Sequence, residues 1–256
     1  MKFGGASVKN PESFLKIADW IIERSLHHSE IAVVISAMGN TTDQLFTLAR
    51  QVHPQPPARE QDMLVSVGER ISIALLAMAL SLKGKEAVSF TGSQSGIITC
   101  ENHADAKIVD VRPARLTQAL KSGRIAIVAG FQGVSRKGEI TTLGRGGSDT
   151  TAVAIAVALN APKVEFYKDV YGIYDADPKT VKSARLLPEL NYDEAIQLAE
   201  KGAKVLHARS IALAAKNGVQ LTLSSFDNPA VCGTVVGLNV QRKSEMTYEV
   251  DPCSSK

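Results

Sequence analysis

The sequence has few cysteines, little net charge and no long apolar run. Its three cysteines are widely separated and form no CxxC pair, which argues against a disulfide framework or a zinc site and favours a reducing cytoplasm. The 29 Lys and Arg residues exceed the 26 Asp and Glu residues by three, too mild an excess for a nucleic-acid surface. Apolar stretches stop well short of the roughly 18 residues of a membrane span. We therefore expect a cytoplasmic protein without a nucleic-acid or membrane partner.

The 256 residues do contain a regular alternation of short apolar runs and amphipathic segments. Continuously apolar, β-branched runs predict buried strands at 31–37, 87–90, 125–130, 164–167 and 219–225. One helix is predicted after the cap Asn10, and further helices at about 59–83, 112–122, 148–160, 191–201 and 207–217. This alternation predicts an α/β fold with a mostly parallel central sheet and helices on both faces, a three-layer α-β-α sandwich.

Loops rich in glycine and serine follow several of the predicted strands. They read "KFGGAS" (2–7), "SAMGNTTD" (36–43), "TGSQSG" (91–96), "GFQG" (130–133) and "KDVYGIYDADP" (168–178). Parallel sheets bind ligands beyond the carboxyl ends of their strands. Because chain reversal alone does not need so many such loops at one edge, we expect a ligand site there.

The segment "GRGGSD" (144–149) has the residues of an anion site. Its glycines let backbone N–H groups approach a ligand, and Ser148 can cap the next helix, whose amino end favours negative charge. Arg145 can bind a carboxylate or phosphate through two parallel hydrogen bonds. The alternative is a tight strand-to-helix turn with Ser148 or Asp149 as a plain cap.

Two further segments contain candidate charges. Lys2 ends the first strand and is followed by Gly4 and Gly5, so it can reach a phosphate that the glycine amides surround; alternatively it is an exposed lysine near a terminus. Gly68 and Glu69 lie inside a helical pattern. A mid-helix glycine costs about 1 kcal/mol and so predicts close approach by another group. Glu69 either binds an ammonium group or lies on a solvated face.

Nine segments occur in an order that resembles the amino acid kinase family, and within it the catalytic domain of aspartate kinases. They are "KFGGAS", "VVISAMGNTTDQL", "GERIS", "FTGSQSG", "KIVDV", "GFQG", "TTLGRGGSDTTA", "DADP" and "GAKVLHAR". The resemblance implies the amino acid kinase fold over residues 1–240, with 241–256 as a tail. The amino-terminal part is expected to bind the amino acid, and the part from about 160 the nucleotide.

The resemblance also implies a reaction: transfer of a phosphoryl group from ATP to the side-chain carboxylate of L-aspartate, giving 4-phospho-L-aspartate, the first step toward lysine, threonine and methionine. Because this acceptor is already ionised at pH 7, no general base is needed, and alignment and charge neutralisation provide the catalysis. Mg²⁺ is expected on the ATP phosphates rather than on protein ligands. A homodimer is the expected assembly.

Residue roles follow from the same resemblance. Lys2 and Asp149 are the expected catalytic residues, with Lys2 bridging the transferring phosphoryl group. Glu69 and Asp149 match acids that hold the substrate ammonium group, and Arg145 matches the arginine that binds its α-carboxylate. The remaining substrate contacts are assigned to Ser36, Thr42 and Ser148. Nucleotide contacts are assigned to Gly4, Gly5, Lys168, Asp169, Tyr174, Lys179 and Lys204.

Three features depart from the family pattern. We expect no ACT regulatory domain after residue 240, and hence no feedback inhibition of this chain by lysine or threonine. Only Met1 precedes Lys2, where relatives have several strand residues. In the nucleotide loop Lys168, Tyr171 and Lys179 replace the usual threonine, acid and arginine, which leaves the preference for ATP open.

Two alternatives remain open from the sequence. One is a kinase of the same fold that acts on another acid or on UMP; the acids at 69 and 149 favour a free amino acid, because UMP has no ammonium group. The other is a non-catalytic subunit that binds ligand without turnover. Retention of Lys2 argues against it, since a pure binder does not need the transfer lysine.

Overall fold

The computed structural model describes residues 1–178, 180–203 and 205–252. An eight-stranded sheet forms its middle layer. In spatial order the strands are β10 (Glu189–Leu190), β12 (Asn228–Val236), β11 (Gln220–Ser225), β9 (Lys163–Lys168), β1 (Lys2–Phe3), β2 (Ala32–Ile35), β6 (Ile125–Ala129) and β3 (Ala87–Phe90). Only the pair β11–β12 is antiparallel. The predicted mostly parallel sheet is confirmed.

Helices cover both faces of this sheet. The first face carries α1 (Pro11–Ser25) and α4 (Val67–Leu82), and the second carries α5 (Ala114–Lys121), α6 (Gly147–Ala158), α7 (Tyr192–Glu200) and α8 (Ala208–Asn217). Alternate residues of one strand enter the two cores: Val33 and Ile35 of β2 pack on the first face and Val34 on the second. The three-layer α-β-α sandwich is thus confirmed.

Local sequence signals explain where α1 begins and which face it buries. The side chain of Asn10 accepts a hydrogen bond from the Ser13 N–H at 3.1 Å, and proline stands at the first helical position. Phe14, Ile17 and Ile21 lie one or two turns apart and are at most 2% exposed. Each such burial stabilises the fold by roughly 1.5–3 kcal/mol, so this stripe fixes α1 on the sheet.

The helix predicted at 59–83 is two helices, α3 (Ala58–Val65) and α4, separated by Ser66. The side-chain amide of Gln132 donates a buried hydrogen bond of 2.8 Å to the Ser66 carbonyl, which satisfies a backbone group at the break. The segment Ala58–Leu82 is long enough for a possible membrane span and contains an 18-residue window with a mean hydropathy of 1.8, half of which is buried. Ile73, Leu76 and Leu80 pack in the first core, as expected of a core helix.

A second, smaller sheet and one helix were not predicted. The sheet contains β5 (Ile108–Val111), β4 (Ile97–Thr99), β7 (Gln132–Ser135) and β8 (Ile140–Thr142), in that spatial order. The helix α2 (Thr41–Val52) fully buries only Ala49; the helical spacing of Leu45, Leu48, Ala49 and Val52 is the sequence signal that could have predicted it. In the expected tail, residues 241–252 form no strand but make several hydrogen bonds to the body.

The order of strands sets the position of the site. From β1 the chain continues to β2 on one side, whereas β9, which pairs with the other side of β1, comes much later in the sequence. A crevice forms at such a switch point, beyond the carboxyl ends of the strands. The loops after β1, β2, β6 and β9 all reach this edge.

Candidate active site

A cavity of about 310 Å³ opens at this edge. Seven of its lining residues were predicted from the sequence: Lys2, Gly5, Ser36, Thr42, Glu69, Ser148 and Asp149. The others are Ala37, Gly39, Phe131, Gly144, Gly146 and Gly147. The loops after β1, β2 and β6, the first turns of α2 and α4, and the start of α6 therefore converge on one space.

Lys2 reaches this cavity because β1 is paired on both sides. It lies opposite Val34 of β2 and Phe166 of β9, and its neighbour Phe3 points into the first core. Only 3% of Lys2 is exposed. A Cβ added to Gly4 would lie 3.4 Å from the Lys2 Nζ, so the glycine after the strand leaves room beside the ammonium group.

Asp149 lies between two lysines. Its Oδ1 is 2.5 Å from the Lys2 Nζ, and its Oδ2 is 2.9 Å from the Lys168 Nζ at the end of β9. Burial alone would raise the pKa of Asp149, but Lys168 and Lys2 outweigh it and lower this pKa to about 2. The pairing of Lys168 with Asp149 was not predicted; only the position of Lys168 directly after a strand hinted at it.

The Lys2 ammonium group responds differently, because it shares its partner. Burial lowers the pKa of Lys2 to about 8, Asp149 opposes this shift, and Lys168 adds to it. One carboxylate gains from two cations, whereas each cation gains from one anion and is repelled by the other cation. With both lysines protonated the group carries one surplus positive charge, which suits a negatively charged ligand.

Glu69 has an unused carboxylate oxygen inside the cavity wall. Its Oε1 accepts a hydrogen bond of 3.2 Å from the Ala37 N–H, and its buried Oε2 has no hydrogen-bond partner among the described residues. Burial raises the pKa of Glu69 from 4.5 to about 7. Gly68 lies in the first turn of α4 rather than inside a longer helix as expected. A Cβ there would lie only 2.8 Å from the Ala37 Cβ, so the loop after β2 is the group whose close approach was predicted.

The amino end of α6 is open toward the cavity. Gly146 occupies the cap position with φ +71, and no side chain caps the helix. The prediction that Ser148 or Asp149 caps α6 is therefore wrong: α6 begins at Gly147, and the Ser148 Oγ would lie 2.7 Å from a Cβ added to Gly130. Uncapped N–H groups at a helix start favour an anion. A Cβ at Gly146 would lie 2.3 Å from the His207 Cβ, so both backbone angle and space require glycine there.

Arg145 lies at the rim of the cavity rather than on its wall. It is exposed and stands between Gly144 and Gly146, which both line the cavity. Gly144 and Gly146 have positive φ angles of +70 and +71, so the loop makes a tight turn that presents the arginine outward. A guanidinium group at this place can approach a ligand from the open side.

The residues predicted for nucleotide binding are less concentrated. Asp169 is exposed and lines a neighbouring cavity of about 190 Å³, together with Ser7 and Phe226. Tyr174 is half-buried and forms a β-bridge with Leu186; it does not line the main cavity. Lys179 and Lys204 lie outside the described residues.

The fold is that of a three-layer α/β protein, and the cavity lies at the carboxyl edge of its mostly parallel sheet. The sequence profile of the Amino acid kinase family matches residues 1–224, and the chain belongs to this family.

Individual relatives are more specific. An aspartokinase from Bacillus sp. (strain MGA3) is 50% identical over 224 residues, which are 88% of this chain and 54% of the relative. A crystal structure of aspartate kinase from Synechocystis has a TM-score of 0.84 and 42% identity, over 98% of this chain and 41% of that chain. E. coli aspartokinase III in complex with aspartate and ADP has a TM-score of 0.82 and 27% identity, over 95% and 64% of the two chains. The chain thus spans about half the length of the curated relatives it matches.

Proposed function

We propose that the protein transfers a phosphoryl group from ATP to the side-chain carboxylate of L-aspartate. The observation that carries this proposal is that one cavity contains two sites of opposite charge. One is the unpartnered, buried Oε2 of Glu69. The other is Lys2 beside the open start of α6, with Lys168 held close to it by the shared carboxylate of Asp149. An acidic amino acid requires a partner for its ammonium group, and a polyphosphate requires a cationic site. The two ligands together therefore require both sites. The similarity to aspartokinases supports the same substrates.

For the amino acid, Glu69 is the proposed partner of the ammonium group. Arg145 at the rim binds the α-carboxylate with two parallel hydrogen bonds. Ser36, Thr42 and Ser148 provide hydroxyl groups around the same cavity. These contacts direct the side-chain carboxylate of aspartate toward Lys2, since the two ends of the molecule are already bound at the other side.

For the transfer, Lys2 and Lys168 neutralise the charge of the phosphoryl group, and Asp149 fixes both lysines. Because both oxygens of Asp149 already face lysines, we propose that it orients Lys2 and leaves most of the ammonium binding to Glu69. The acceptor carboxylate is ionised at neutral pH, so no side chain has to remove a proton. The remaining work is alignment and stabilisation of negative charge.

For the nucleotide, we propose that Gly4, Gly5 and Lys168 contact the phosphates and that Asp169 and Tyr174, with Lys179 and Lys204, bind the remainder. Residues up to about 160 would thus serve mainly the amino acid, and later residues up to 240 mainly the nucleotide. We propose that Mg²⁺ arrives on the ATP phosphates, whose oxygens are the hard ligands that this ion prefers. A cytoplasmic homodimer is the proposed form of the protein.

The test is a coupled assay of ADP release with aspartate, glutamate and UMP as separate acceptors, with hydroxylamine trapping of the acyl phosphate. Aspartate should be the best acceptor by at least about tenfold in kcat/KM and should yield a hydroxamate. Preference for UMP or glutamate would show that the protein is a kinase with an acceptor other than the proposed aspartate. Saturable binding of aspartate without ADP release would indicate a ligand-binding subunit instead.

A further inference from the structure

Arg209, in the first turn of α8, contacts the loop that carries Arg145. Its Nη1 donates to the carbonyl of Leu143 at 2.5 Å, and its Nη2 donates to the carbonyl of Ala106 at 2.6 Å. Leu143 directly precedes the turn at Gly144 and Arg145. The side chain of Arg209 is 12% exposed, so water cannot easily replace these two acceptors. One guanidinium group therefore fixes the backbone at the entrance of the substrate loop.

The orientation of Arg209 is fixed in turn by Glu249 in the carboxyl-terminal tail. The two carboxylate oxygens of Glu249 accept hydrogen bonds from Nε and Nη2 of Arg209, the second at 2.7 Å. Glu249 is itself tied to β5: its Oε2 accepts from the Ile108 N–H at 2.8 Å, and its own N–H donates to the Ile108 carbonyl at 2.9 Å. This paired geometry leaves the guanidinium little rotational freedom.

The same loop is enclosed at both glycines. A Cβ added to Gly144 would lie 2.9 Å from Oδ1 of Asp105, and one added to Gly146 would lie 2.3 Å from the Cβ of His207. His207 is the cap residue of α8, two positions before Arg209. The turn that presents Arg145 is thus positioned by α8 and by the 104–106 segment, and Arg209 and Glu249 join these two pieces.

We propose that Arg209 and Glu249 are positioning residues that set the Leu143–Arg145 turn for binding the α-carboxylate of the amino acid. This inference rests on the proposed function for the identity of the ligand. Without the Glu249 charge, Arg209 has a competing carboxylate within reach, since its Nη1 is 3.6 Å from Oδ1 of Asp105. A shift toward Asp105 releases the Leu143 carbonyl and lets the turn move. Within the described residues, neither Arg209 nor Glu249 makes a hydrogen bond or ion pair with Lys2 or Lys168 at the phosphate side of the cavity.

The experiment compares Glu249→Gln with Glu245→Gln in the full chain. Glu245 lies in the same tail and is exposed, so the control makes the same change of charge without the contact to Arg209. For Glu249→Gln we expect the KM for aspartate to rise about tenfold, with the KM for ATP and kcat within about twofold. Hydrogen exchange at the amides of 144–147 should become at least about fivefold faster, while exchange in β2 stays unchanged. Glu249→Asp keeps the charge and should recover part of the wild-type behaviour, and the control Glu245→Gln should match the wild type.

Equal increases in both KM values, or faster exchange in β2 and the loop alike, would show that Glu249 only stabilises the fold and would overturn the inference. If Glu249→Gln does not fold, Arg209→Lys keeps the charge but loses the planar fork, and the same split between the two KM values is required of it. If the wild type does not phosphorylate aspartate, the proposed function fails separately. The exchange measurement then still decides whether Glu249 controls the turn.

Discussion

The Nζ of Lys2 lies 2.5 Å from Oδ1 of Asp149, and both side chains are at most 8% exposed. Lys2 lies on β1 in the middle of the sheet, and Asp149 lies in the first turn of α6. The apolar side chains of α6 form much of the second core. A buried ion pair of this kind is costly to desolvate. Here the ion pair holds Lys2, together with Lys168, at the place where we propose that the phosphoryl group is transferred.

Replacement of Lys2 tests this role directly. We expect Lys2→Met to lower kcat about 1000-fold, since it removes a charge used mainly in the transition state. The KM for aspartate should remain within about threefold of the wild type, because Glu69 and Arg145 are unchanged. Steady-state kinetics measure both values, with Lys121→Met on the exposed end of α5 as the control. Equal losses in kcat and aspartate affinity would mean that Lys2 is only a binding residue.

The variant Glu69→Gln should be more stable than the wild type at pH 8 but should bind aspartate more weakly. The pKa of Glu69 is raised by burial from 4.5 to about 7, so between these values the native state binds more protons than the unfolded state. The wild type therefore loses stability as pH rises from about 4.5 to about 7, and at pH 8 the glutamine variant should be more stable by up to about 3 kcal/mol. Its KM for aspartate should rise about 10- to 100-fold, because a charged hydrogen bond is lost.

Thermal unfolding at pH 8 and at pH 4.5, together with kinetics at pH 8, measures these effects. The gain in stability should nearly vanish at pH 4.5, where Glu69 is protonated in the native wild type. Glu86→Gln, at an exposed position, should change neither quantity. A lower Tm for Glu69→Gln at pH 8 with an unchanged KM would contradict both the buried charge and its proposed ligand.

The pH profile of kcat/KM should have two limbs of separate origin. In the free enzyme Glu69 has a pKa of about 7 and Lys2 a pKa of about 8, both set mainly by burial. The kcat/KM for aspartate should increase as pH rises through about 7, when Glu69 becomes charged, and kcat/KM for ATP should fall as pH rises above about 8, when Lys2 loses its proton. In Glu69→Gln only the alkaline limb should remain, and persistence of the acid limb would assign it to another group.

Arg145 should matter for geometry as well as for charge. We expect Arg145→Lys to raise the KM for aspartate about tenfold and Arg145→Ala about 100-fold, because lysine keeps the charge but loses the parallel pair of hydrogen bonds. Arg136→Ala, at an exposed turn between β7 and β8, is the matched control. Initial rates at fixed ATP measure the effect. A lysine variant as active as the wild type would show that Arg145 acts only as a distant charge.

Signals that are local in sequence predicted most of the large sheet and several residues of the cavity, whereas Ser36 and Thr42 were assigned through the resemblance to the amino acid kinase family. Asn10 and Pro11 gave the start of α1, and the glycine-rich loops gave the edge at which the ligand site lies. Contacts that are distant in sequence were not visible. The break at Ser66 depends on Gln132, 66 residues away, and the role of Lys168 depends on Asp149, 19 residues away.

The small sheet escaped prediction for a different reason. Its strands are only three or four residues long, and segments this short cannot show a period reliably. The helix cap at Gly146 was also missed, because Ser148 and Asp149 are better cap residues in isolation. Contact with His207 and the positive φ angle of Gly146 override that local preference.

Because strand β1 has only two residues, the position of Lys2 depends on the correct alignment of β1 with β2 and β9 during folding. Lys2 and Phe3 point to opposite faces of the sheet, and pairing with Val34 and Phe166 determines which residue points where. A slip of one residue would place the aromatic ring at the phosphate side and drive the ammonium group into the hydrocarbon layer beneath α1 and α4. A chain with this wrong alignment would therefore lose stability together with the proposed activity, so a molecule that folds stably has Lys2 in place at the cavity.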